Sequence, residues 1–252
     1  MVHLGALPGA PRARPLQETL ERALADAGVL ADAGFDGVFV ENYGDVPFHP
    51  GAVPAVTVAA MTRVATALRA RLPSTVSLGI NVLRNDAAAA LAVATAAGAD
   101  AIRVNVHSGA RVTDQGVIEG RAWETLRLRE AWGGDVAIWA DVAVKHSTAL
   151  GPPRPLAEDV ADLVHRGRAD AVIVTGSGTG RPVSTTELRD VVEAAGAAPV
   201  YVGSGVTLET VGTLLASAHG AIVGTALKVG GVTTAPVDPA RAQALVAAAK
   251  RT

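Results

Sequence analysis

The sequence predicts an α/β protein, a single (β/α)8 TIM barrel formed by residues 1–252. One short motif recurs along the chain: a turn of Gly, Ala and Asp, then an apolar run of Val and Ile, then a polar residue. Its copies begin at Gly34, Gly98, Ala169 and His219. Repetition of this unit, with polar residues only where the strands end, is typical of barrels that carry an active site at one face.

Eight apolar segments of strand length alternate with eight helical segments in the 252 residues. Strands this short, with Val and Ile on both faces, belong to parallel sheets that helices cover on the outside. The alternative is an open doubly wound sheet, which concentrates polar residues at one crevice. Polar residues follow nearly every predicted strand here, so the closed barrel is favoured.

The predicted elements follow in a regular order along the chain. Strands are expected at residues 2–5, 37–40, 76–80, 102–104, 136–140, 172–174, 200–202 and 222–223. Helices are expected at 16–33, 53–72, after Asp86, at 117–132, at 156–165, and after Ser184, Thr207 and Asp238. Asp86, Ser184 and Thr207 have side chains that cap helices, and Glu187 would complete a capping box with Ser184. Long polar loops are expected at 42–51 and 107–116.

Composition excludes several classes of protein. The formal net charge is −2 and there is no basic tract, so a nucleic-acid groove is not expected. No apolar run is long enough to span a membrane, and no signal peptide is recognisable. The chain has no cysteine, which fits a reducing cytoplasm. We therefore expect a cytoplasmic protein whose partner is a small molecule, and a homo-oligomer, as barrels of this kind often are.

Three glycine-containing loops near the end of the chain predict a phosphate site. They follow the last three predicted strands, as in many barrels. Glycine lets backbone N–H groups turn toward one anion, and a following helix adds the positive end of its dipole. The candidate phosphate-binding residues are Gly176, Ser177, Gly178, Thr179, Gly180, Gly203, Ser204, Gly205, Gly224 and Thr225. The alternative is that these glycines only make short turns.

Two cations extend this prediction. Lys228 lies four residues beyond Gly224, where it could reach a phosphate or neutralise the next loop. Arg103 points into the barrel if Asn105 does, because side chains alternate along a strand. A buried Arg103 needs a carboxylate partner, either Asp141 or Glu41, so it is a phosphate contact or half of a structural ion pair.

The same alternation predicts the candidate catalytic residues. Glu41, Asn81, Asn105 and Asp141 each follow or end a predicted strand. If Asp141 points inward, so do Trp139 and Ala137; if Glu41 does, so do Phe39 and Gly37. We interpret Asp141 as a general base, with Lys145 or His146 as the acid. The alternatives for Lys145 are a salt bridge and a Schiff base.

No cofactor is predicted. His3, Glu41, Asp141 and His146 could instead hold a divalent metal, although no close spacing such as HxxxH supports a metal site.

These residues lie in segments that resemble the BtpA/SgcQ family. The segments are His3-Leu4, residues 7–9, 41–45, 81–86, 103–106, 113–116, 140–142, 145–146, 175–180, 203–206 and 224–228. The resemblance covers nearly the whole chain and implies a barrel similar to ribulose-phosphate-binding enzymes. Members of that family begin with several more apolar residues before the His-Leu pair, which here follows Met1-Val2.

The resemblance does not imply one reaction. The founding member of the family is linked to photosystem I accumulation, and other members occur beside sugar-uptake functions. The residues favour an isomerase or lyase that acts on a phosphorylated sugar or nucleotide fragment by acid–base chemistry. The alternatives are a non-catalytic assembly factor and a phosphate-ligand sensor. A scaffold has no need of carboxylates, amides and a lysine at the mouth of its barrel.

Overall fold

A computed structural model describes residues 1–152, 154–175 and 183–250. The strands of the described part are β1 Val2–His3, β2 Gly37–Glu41, β3 Ser77–Asn81, β4 Ala101–Val104, β5 Ala110–Thr113, β6 Gly116–Glu119, β7 Ala137–Val142, β8 Ser147–Ala149, β9 Ala171–Val174, β10 Val200–Val202 and β11 Gly220–Ala221. The helices there are α1 Leu16–Ala33, α2 Ala55–Arg71, α3 Ala87–Ala97, α4 Ala122–Ala131, α5 Leu156–Ala161, α6 Thr185–Ala195, α7 Val211–Leu215 and α8 Pro239–Ala249. A π-helical turn, Asp162–Arg166, extends α5.

The protein is a (β/α)8 barrel, as predicted. Eight strands of the described chain form one parallel sheet in the order β1-β2-β3-β4-β7-β9-β10-β11. The nitrogen of Met1 donates to the Val223 carbonyl at 2.8 Å, which joins the two ends of this order. All eight predicted strands are therefore present, with the last one shifted from 222–223 to Gly220–Ala221.

Three aromatic rings from separated strands meet inside the barrel. Trp139 on β7 stacks on Tyr201 on β10 at a centroid distance of 4.1 Å and lies 5.2 Å from Phe39 on β2. Since these strands are not neighbours in the sheet, the rings must point inward. A Cβ on Gly79 would lie 2.4 Å from the Phe39 ring. Large rings thus fill the middle of the barrel beside small residues. Polar side chains lie in the next layer, toward the carboxyl ends of the strands.

The main apolar core lies between the sheet and the surrounding helices. Val and Ile side chains of the strands pack there against Leu, Ala and Val of α1, α2, α3 and α8. Each strand therefore contributes one face to this core and the other to the barrel interior, and at the strand ends the interior face becomes the mouth.

A second, antiparallel sheet lies over the loops at the mouth, in the order β6-β5-β8. Its strands come from the segments after β4 and after β7. The predictions of a loop at 107–116 and of a helix beginning at 117 are therefore wrong in part, because 110–119 forms a hairpin and α4 begins at Ala122. Val106, Ile118 and Val144 form a small apolar cluster that anchors this sheet.

Two of the predicted helix caps are present. Asp86 accepts the N–H of Ala89 at 2.9 Å, and the Ser184 hydroxyl accepts that of Glu187 at 3.1 Å. Thr207 does not cap α7, which begins at Val211 after a turn that ends at Thr210. No helix in the described part of the chain is long and apolar enough to cross a membrane.

Candidate active site

Polar side chains at the ends of the first four barrel strands lie at one level. The register of the sheet places His3 beside Glu41, Glu41 beside Asn81, and Asn81 beside Arg103. Glu41 and Asn81 are 7% and 1% exposed, so this level is shielded from bulk water. We refer to His3, Glu41, Asn81 and Arg103, together with Asn105 and Asp141, as the polar ring.

Arg103 and Asp141 form a buried ion pair with two parallel hydrogen bonds. The Nε and Nη2 atoms of Arg103 each donate to one carboxylate oxygen of Asp141 at 2.8 Å. Burial opposes the charge of Arg103, but Asp141 outweighs burial and raises the pKa of the guanidinium. The Nδ2 of Asn105 donates to Asp141 at 3.0 Å. The expected carboxylate partner of Arg103 is therefore Asp141, and both oxygens of Asp141 are occupied.

Glu41 is held much more loosely. Its Oε2 accepts a hydrogen bond from Asn81 at 2.6 Å, and its Oε1 lies 3.8 Å from Nε2 of His3. Burial raises the pKa of Glu41 above its ordinary value of 4.5, and the charge of Arg103 only partly opposes this. The environment thus favours the protonated form of the carboxyl group.

His3 is a neutral imidazole at the edge of the ring. Burial, followed by the nearby positive charges, lowers its pKa from 6.5 to about 3. Its ring lies edge-on to Tyr43 at a centroid distance of 5.0 Å. Within the described residues, Nδ1 of His3 and Oδ1 of Asn105 are buried without a hydrogen-bond partner. Each such atom lowers the stability of the fold by about 1–3 kcal/mol. Two of them at one site therefore indicate a functional role for the site.

The structure brings Lys145 to the ring but not His146. Lys145 is partly buried, and burial followed by the charge of Arg103 lowers its pKa, while Asp141 opposes that change. His146 is exposed, in a left-handed backbone conformation with φ of 56°. The turn after β7 directs His146 to solvent, and its role as the acid stays a prediction.

Arg84 is a buried cation at the mouth that the sequence reasoning did not identify as functional. It is 9% exposed, and its Nη2 donates to the Lys145 carbonyl at 2.8 Å. Burial lowers its pKa, and the nearby carboxylates, of which Asp141 has the largest effect, oppose that change. The available signal was its position in the sequence, three residues after the end of β3.

The loops predicted to bind phosphate are only partly described. Gly176, Ser177, Gly178, Thr179 and Gly180 lie outside the described residues. The other candidates lie at the mouth, after β10 and β11, and comprise Gly203, Ser204, Gly205, Gly224 and Thr225.

The backbone N–H of Gly203 is not free to bind an anion, because it donates to the Val174 carbonyl at 2.8 Å. A Cβ on Gly203 would lie 3.4 Å from the Arg103 guanidinium, so this loop borders the polar ring. A Cβ on Gly224 would lie 2.9 Å from His3, so the loop after β11 borders it too. Ser204, Gly205, Gly224 and Thr225 are the described residues that remain as phosphate candidates.

Lys228 does not lie in the phosphate site, which corrects the prediction. Its Nζ donates to Oδ2 of Asp26 on α1 at 2.9 Å, and the side chain is 0% exposed. The other oxygen of Asp26 accepts the N–H of Val237 at 2.8 Å. This ion pair fastens the segment after β11 to the first helix, so the ammonium group is unavailable to a substrate.

The alternative metal site is not assembled. Among the described residues, no group of three or more His, Asp and Glu side chains is placed to hold a metal ion. The exposed His146 does not join His3, Glu41 and Asp141.

A cavity of about 260 Å³ lies away from the ring, between α3, α4 and the hairpin β5–β6. Its lining is mixed, with apolar residues of α3 and β4 beside polar residues that include Asn85, Glu119 and Arg121.

Comparison with known proteins agrees with this architecture. The model of the BtpA family matches residues 1–251. The chain belongs to the BtpA family. The Photosystem I biogenesis protein BtpA of Synechocystis is 44% identical over 249 residues, which cover 98% of this chain and 86% of that protein. An uncharacterized protein of Thermococcus kodakarensis is 45% identical over 251 residues, covering 99% and 94%. An uncharacterized mitochondrial protein of Caenorhabditis elegans is 34% identical over 247 residues, covering 96% and 88%.

Solved structures confirm the fold of this BtpA-family chain. The phosphoribosyl anthranilate isomerase of Thermus thermophilus aligns with a TM-score of 0.58 at 14% identity, covering 90% of this chain and 94% of that one. The orotidine 5'-phosphate decarboxylase of Pyrococcus horikoshii aligns with a TM-score of 0.57 at 14% identity, covering 92% and 94%. At these identities the likeness shows a shared TIM-barrel fold.

Several of the segments that resemble the BtpA family lie at one face of its barrel. Three of them supply His3, Glu41 and Asn81 to the polar ring, and others supply Arg103, Asn105 and Asp141. The family resemblance in sequence therefore coincides with the mouth.

Proposed function

We propose that this protein is an enzyme that transfers protons within a phosphorylated small molecule, as an isomerase or a lyase. The observation that carries the proposal is the state of Glu41. It is a buried carboxyl group with a raised pKa, at the carboxyl end of a barrel strand, with one short hydrogen bond and a neutral histidine beside it. A carboxyl group that both holds and releases a proton near working pH is what acid–base catalysis requires.

Glu41 suits this role better than Asp141. Asp141 accepts three hydrogen bonds, two of them from a guanidinium, so protonation would break an ion pair inside the barrel. We therefore assign Asp141 to positioning, since it fixes Arg103 and Asn105. Glu41 accepts one amide hydrogen bond and faces no cation at hydrogen-bond distance among the described residues. Its proton can leave without loss of the surrounding structure.

The rest of the ring supplies groups that orient a sugar. The unpaired Oδ1 of Asn105 is an acceptor for a substrate hydroxyl, and the unpaired Nδ1 of His3 is a second polar atom at the same level. Lys145, whose pKa is lowered by burial, is a proton donor or an electrostatic partner for a developing oxyanion. Together these groups surround a reacting carbon with donors and acceptors.

The phosphate end of the substrate is assigned to the loops after β10 and β11. Ser204, Gly205 and Thr225 follow strands at the same face as the ring, where barrels commonly bind phosphate. Two solved barrels of this fold are named for a phosphoribosyl compound and a 5'-phosphate. Those names describe those proteins; the assignment here depends on the loops.

The test follows proton exchange in D2O. We expect the wild-type protein to exchange a carbon-bound proton, or to cleave a bond, in at least one of a panel of aldose and ketose phosphates followed by NMR. The same sugars without phosphate should react far more slowly. Glu41→Gln should slow the reaction by about 100-fold or more, which is the usual contribution of a general acid or base. Binding of the same sugar phosphate should change little, because the variant keeps the shape of the side chain.

Glu130→Gln is the matched control, because Glu130 is exposed on α4. It should react at the wild-type rate. Full activity in Glu41→Gln would contradict the role of Glu41. Absence of any reaction across the panel would contradict the enzyme assignment, and equal rates for sugars with and without phosphate would contradict the phosphate assignment.

A second candidate function is assistance in assembling a larger protein complex. The relative from Synechocystis is named for photosystem I biogenesis. The exposed side chains of Val117 and Trp123, at 50% and 62%, favour a partner surface on the segment from β6 into α4. This function would be favoured over the enzyme if Trp123→Ser abolished binding of a partner protein and the wild type reacted with none of the sugar phosphates.

A further inference from the structure

We infer that the mouth of the barrel contains a second anion subsite, formed by Arg84 and Lys145, and that the substrate carries a carboxylate in addition to its phosphate. This inference rests on the proposed function for the phosphate end. The subsite lies after β3 and β7, whereas the proposed phosphate loops lie after β10 and β11. The two anionic ends of the substrate would thus be held by different strands of the barrel.

Arg84 is the first reason. Its side chain is largely buried, yet among the described residues no carboxylate lies within 4.0 Å of its guanidinium group. Within the described residues, its side chain makes one hydrogen bond, from Nη2 to the Lys145 carbonyl. Arg103, equally enclosed, is fully matched by Asp141. A buried guanidinium without a counter-ion is costly, and most of its five N–H donors are left for another group.

Lys145 is the second reason. The hydrogen bond from Nη2 of Arg84 to the Lys145 carbonyl places the Arg84 guanidinium beside the backbone of Lys145. The ammonium group is half-buried, and the described residues include no carboxylate within ion-pair distance of it. Burial, followed by the charge of Arg103, lowers its pKa, and the charge of Asp141 only partly opposes that change.

The charge balance of the mouth supports the same conclusion. Asp141 neutralises Arg103, which leaves Glu41 as the one other carboxyl group of the polar ring. Arg84 and Lys145 are then left in excess over the acidic groups of the ring. Asp114, at the tip of the hairpin β5–β6, raises the pKa of Arg84 through its field but makes no ion pair with it in the described structure. An anion from solution would remove this imbalance.

A carboxylate fits the subsite well. It can accept two parallel N–H bonds from the planar guanidinium of Arg84, and Lys145, on the segment that Arg84 contacts, adds a second positive charge at the mouth.

The test compares phosphorylated acids with phosphorylated compounds that lack the carboxylate, by calorimetric titration. The matched pairs are 3-phosphoglycerate with glycerol 3-phosphate, and 6-phosphogluconate with glucose 6-phosphate. We expect the acid in at least one pair to bind about tenfold or more tightly than its partner, as a charge-assisted contact of about 1.4 kcal/mol or more would give. Arg84→Gln and Lys145→Gln should each remove this advantage and leave the affinity for the uncharged-end partner nearly unchanged.

Arg189→Gln, an exposed arginine on α6, is the control and should keep the full advantage. Lys145→Gln keeps the test valid if Arg84→Gln fails to fold, because the Lys145 side chain makes no recorded hydrogen bond in the described structure. Equal affinities within both pairs would overturn the subsite and leave the proposed phosphate site standing. Loss of both members on Arg84→Gln in a folded protein would also overturn it, since Arg84 would then bind the phosphate. Binding of neither member to the wild type would overturn both proposals.

Discussion

At the scale of single residues, the buried charges of this barrel divide into two kinds. Arg103 forms a salt bridge with Asp141 at 2.8 Å, and Lys228 forms one with Asp26 at 2.9 Å. Glu41 has no such partner within hydrogen-bond distance among the described residues. A paired buried charge contributes to the fold when it stays paired, whereas an unpaired one is retained at a cost. This difference is why we assign Lys228 to structure and Glu41 to chemistry.

Replacement of Lys228 tests the structural half of this division. Lys228→Met leaves the Asp26 carboxylate buried with only the Val237 N–H and a partly exposed Arg22 nearby. We expect the free energy of unfolding, measured with urea, to fall by about 3 kcal/mol, as when one member of a buried pair is removed. Lys250→Met, at the exposed end of α8, should change it by less than about 0.5 kcal/mol. Equal stability of the two variants would show that Lys228 is free for another role.

At the scale of elements, the sequence predicts well what is local and repeated. The recurring turn-strand motif locates the barrel strands, and the alternation of side chains correctly places Trp139 inside with Asp141, and Arg103 on a carboxylate. The hairpin β5–β6 escapes prediction because its strands are four residues each and mostly polar or exposed, so no period distinguishes them from a loop.

Contacts between distant segments also escape prediction. Arg84 donates a hydrogen bond to Lys145, which is 61 residues away in the sequence, and Lys228 donates one to Asp26, which is 202 residues away. Both cations come after a barrel strand, so sequence position alone does not separate their roles. Only the opposing element decides that one faces the mouth and the other an interior carboxylate. The fold was therefore predictable in outline, and the roles of these two cations were not.

The junction of the first two barrel units provides a prediction at this scale. Gly44 follows β2, and its N–H donates to the Leu4 carbonyl at 3.0 Å. A Cβ at this position would lie 2.3 Å from the backbone nitrogen of Ala6, which cannot move without displacing the end of β1. Gly44→Ala should therefore lower the free energy of unfolding by about 2 kcal/mol or more.

Gly51→Ala is the matched control, since a Cβ there has nothing within 4 Å. It should leave the free energy of unfolding within about 0.5 kcal/mol of wild type. Because Gly44 also sets the position of the β1 and β2 ends, Gly44→Ala should weaken proton exchange in any substrate that the wild type accepts. Unchanged stability in Gly44→Ala would show that the two backbone segments can separate at no cost.

At the scale of the whole molecule, the polar ring makes stability depend on pH in two opposite ways. The pKa of His3 is lowered from 6.5 to about 3 in the folded state, so the unfolded chain takes up a proton first as pH falls below 6.5. Glu41, whose pKa is raised, instead contributes stability below its ordinary pKa of 4.5 and loses it as pH rises through its folded value. The stability of the barrel is therefore reduced on the acid side by His3 and toward neutral pH by Glu41.

Two substitutions separate these effects. His3→Gln cannot take up a proton, so its stability relative to wild type should improve between pH 6.5 and pH 4.5 by roughly 2 to 3 kcal/mol, at about 1.36 kcal/mol per pH unit. The stability of Glu41→Gln should instead improve relative to wild type as pH rises above 4.5, because the wild type must then bury a charge or retain a proton.

The measurement is urea unfolding at a series of pH values. The control is His165→Gln, which replaces an exposed histidine in the π-helical turn. Parallel pH profiles for His3→Gln and wild type would show that the imidazole titrates alike in both states, and parallel profiles for Glu41→Gln would remove the basis for proton transfer by Glu41. Opposite slopes for the two variants would establish that one buried layer of the barrel holds a base that stays neutral beside an acid that stays protonated.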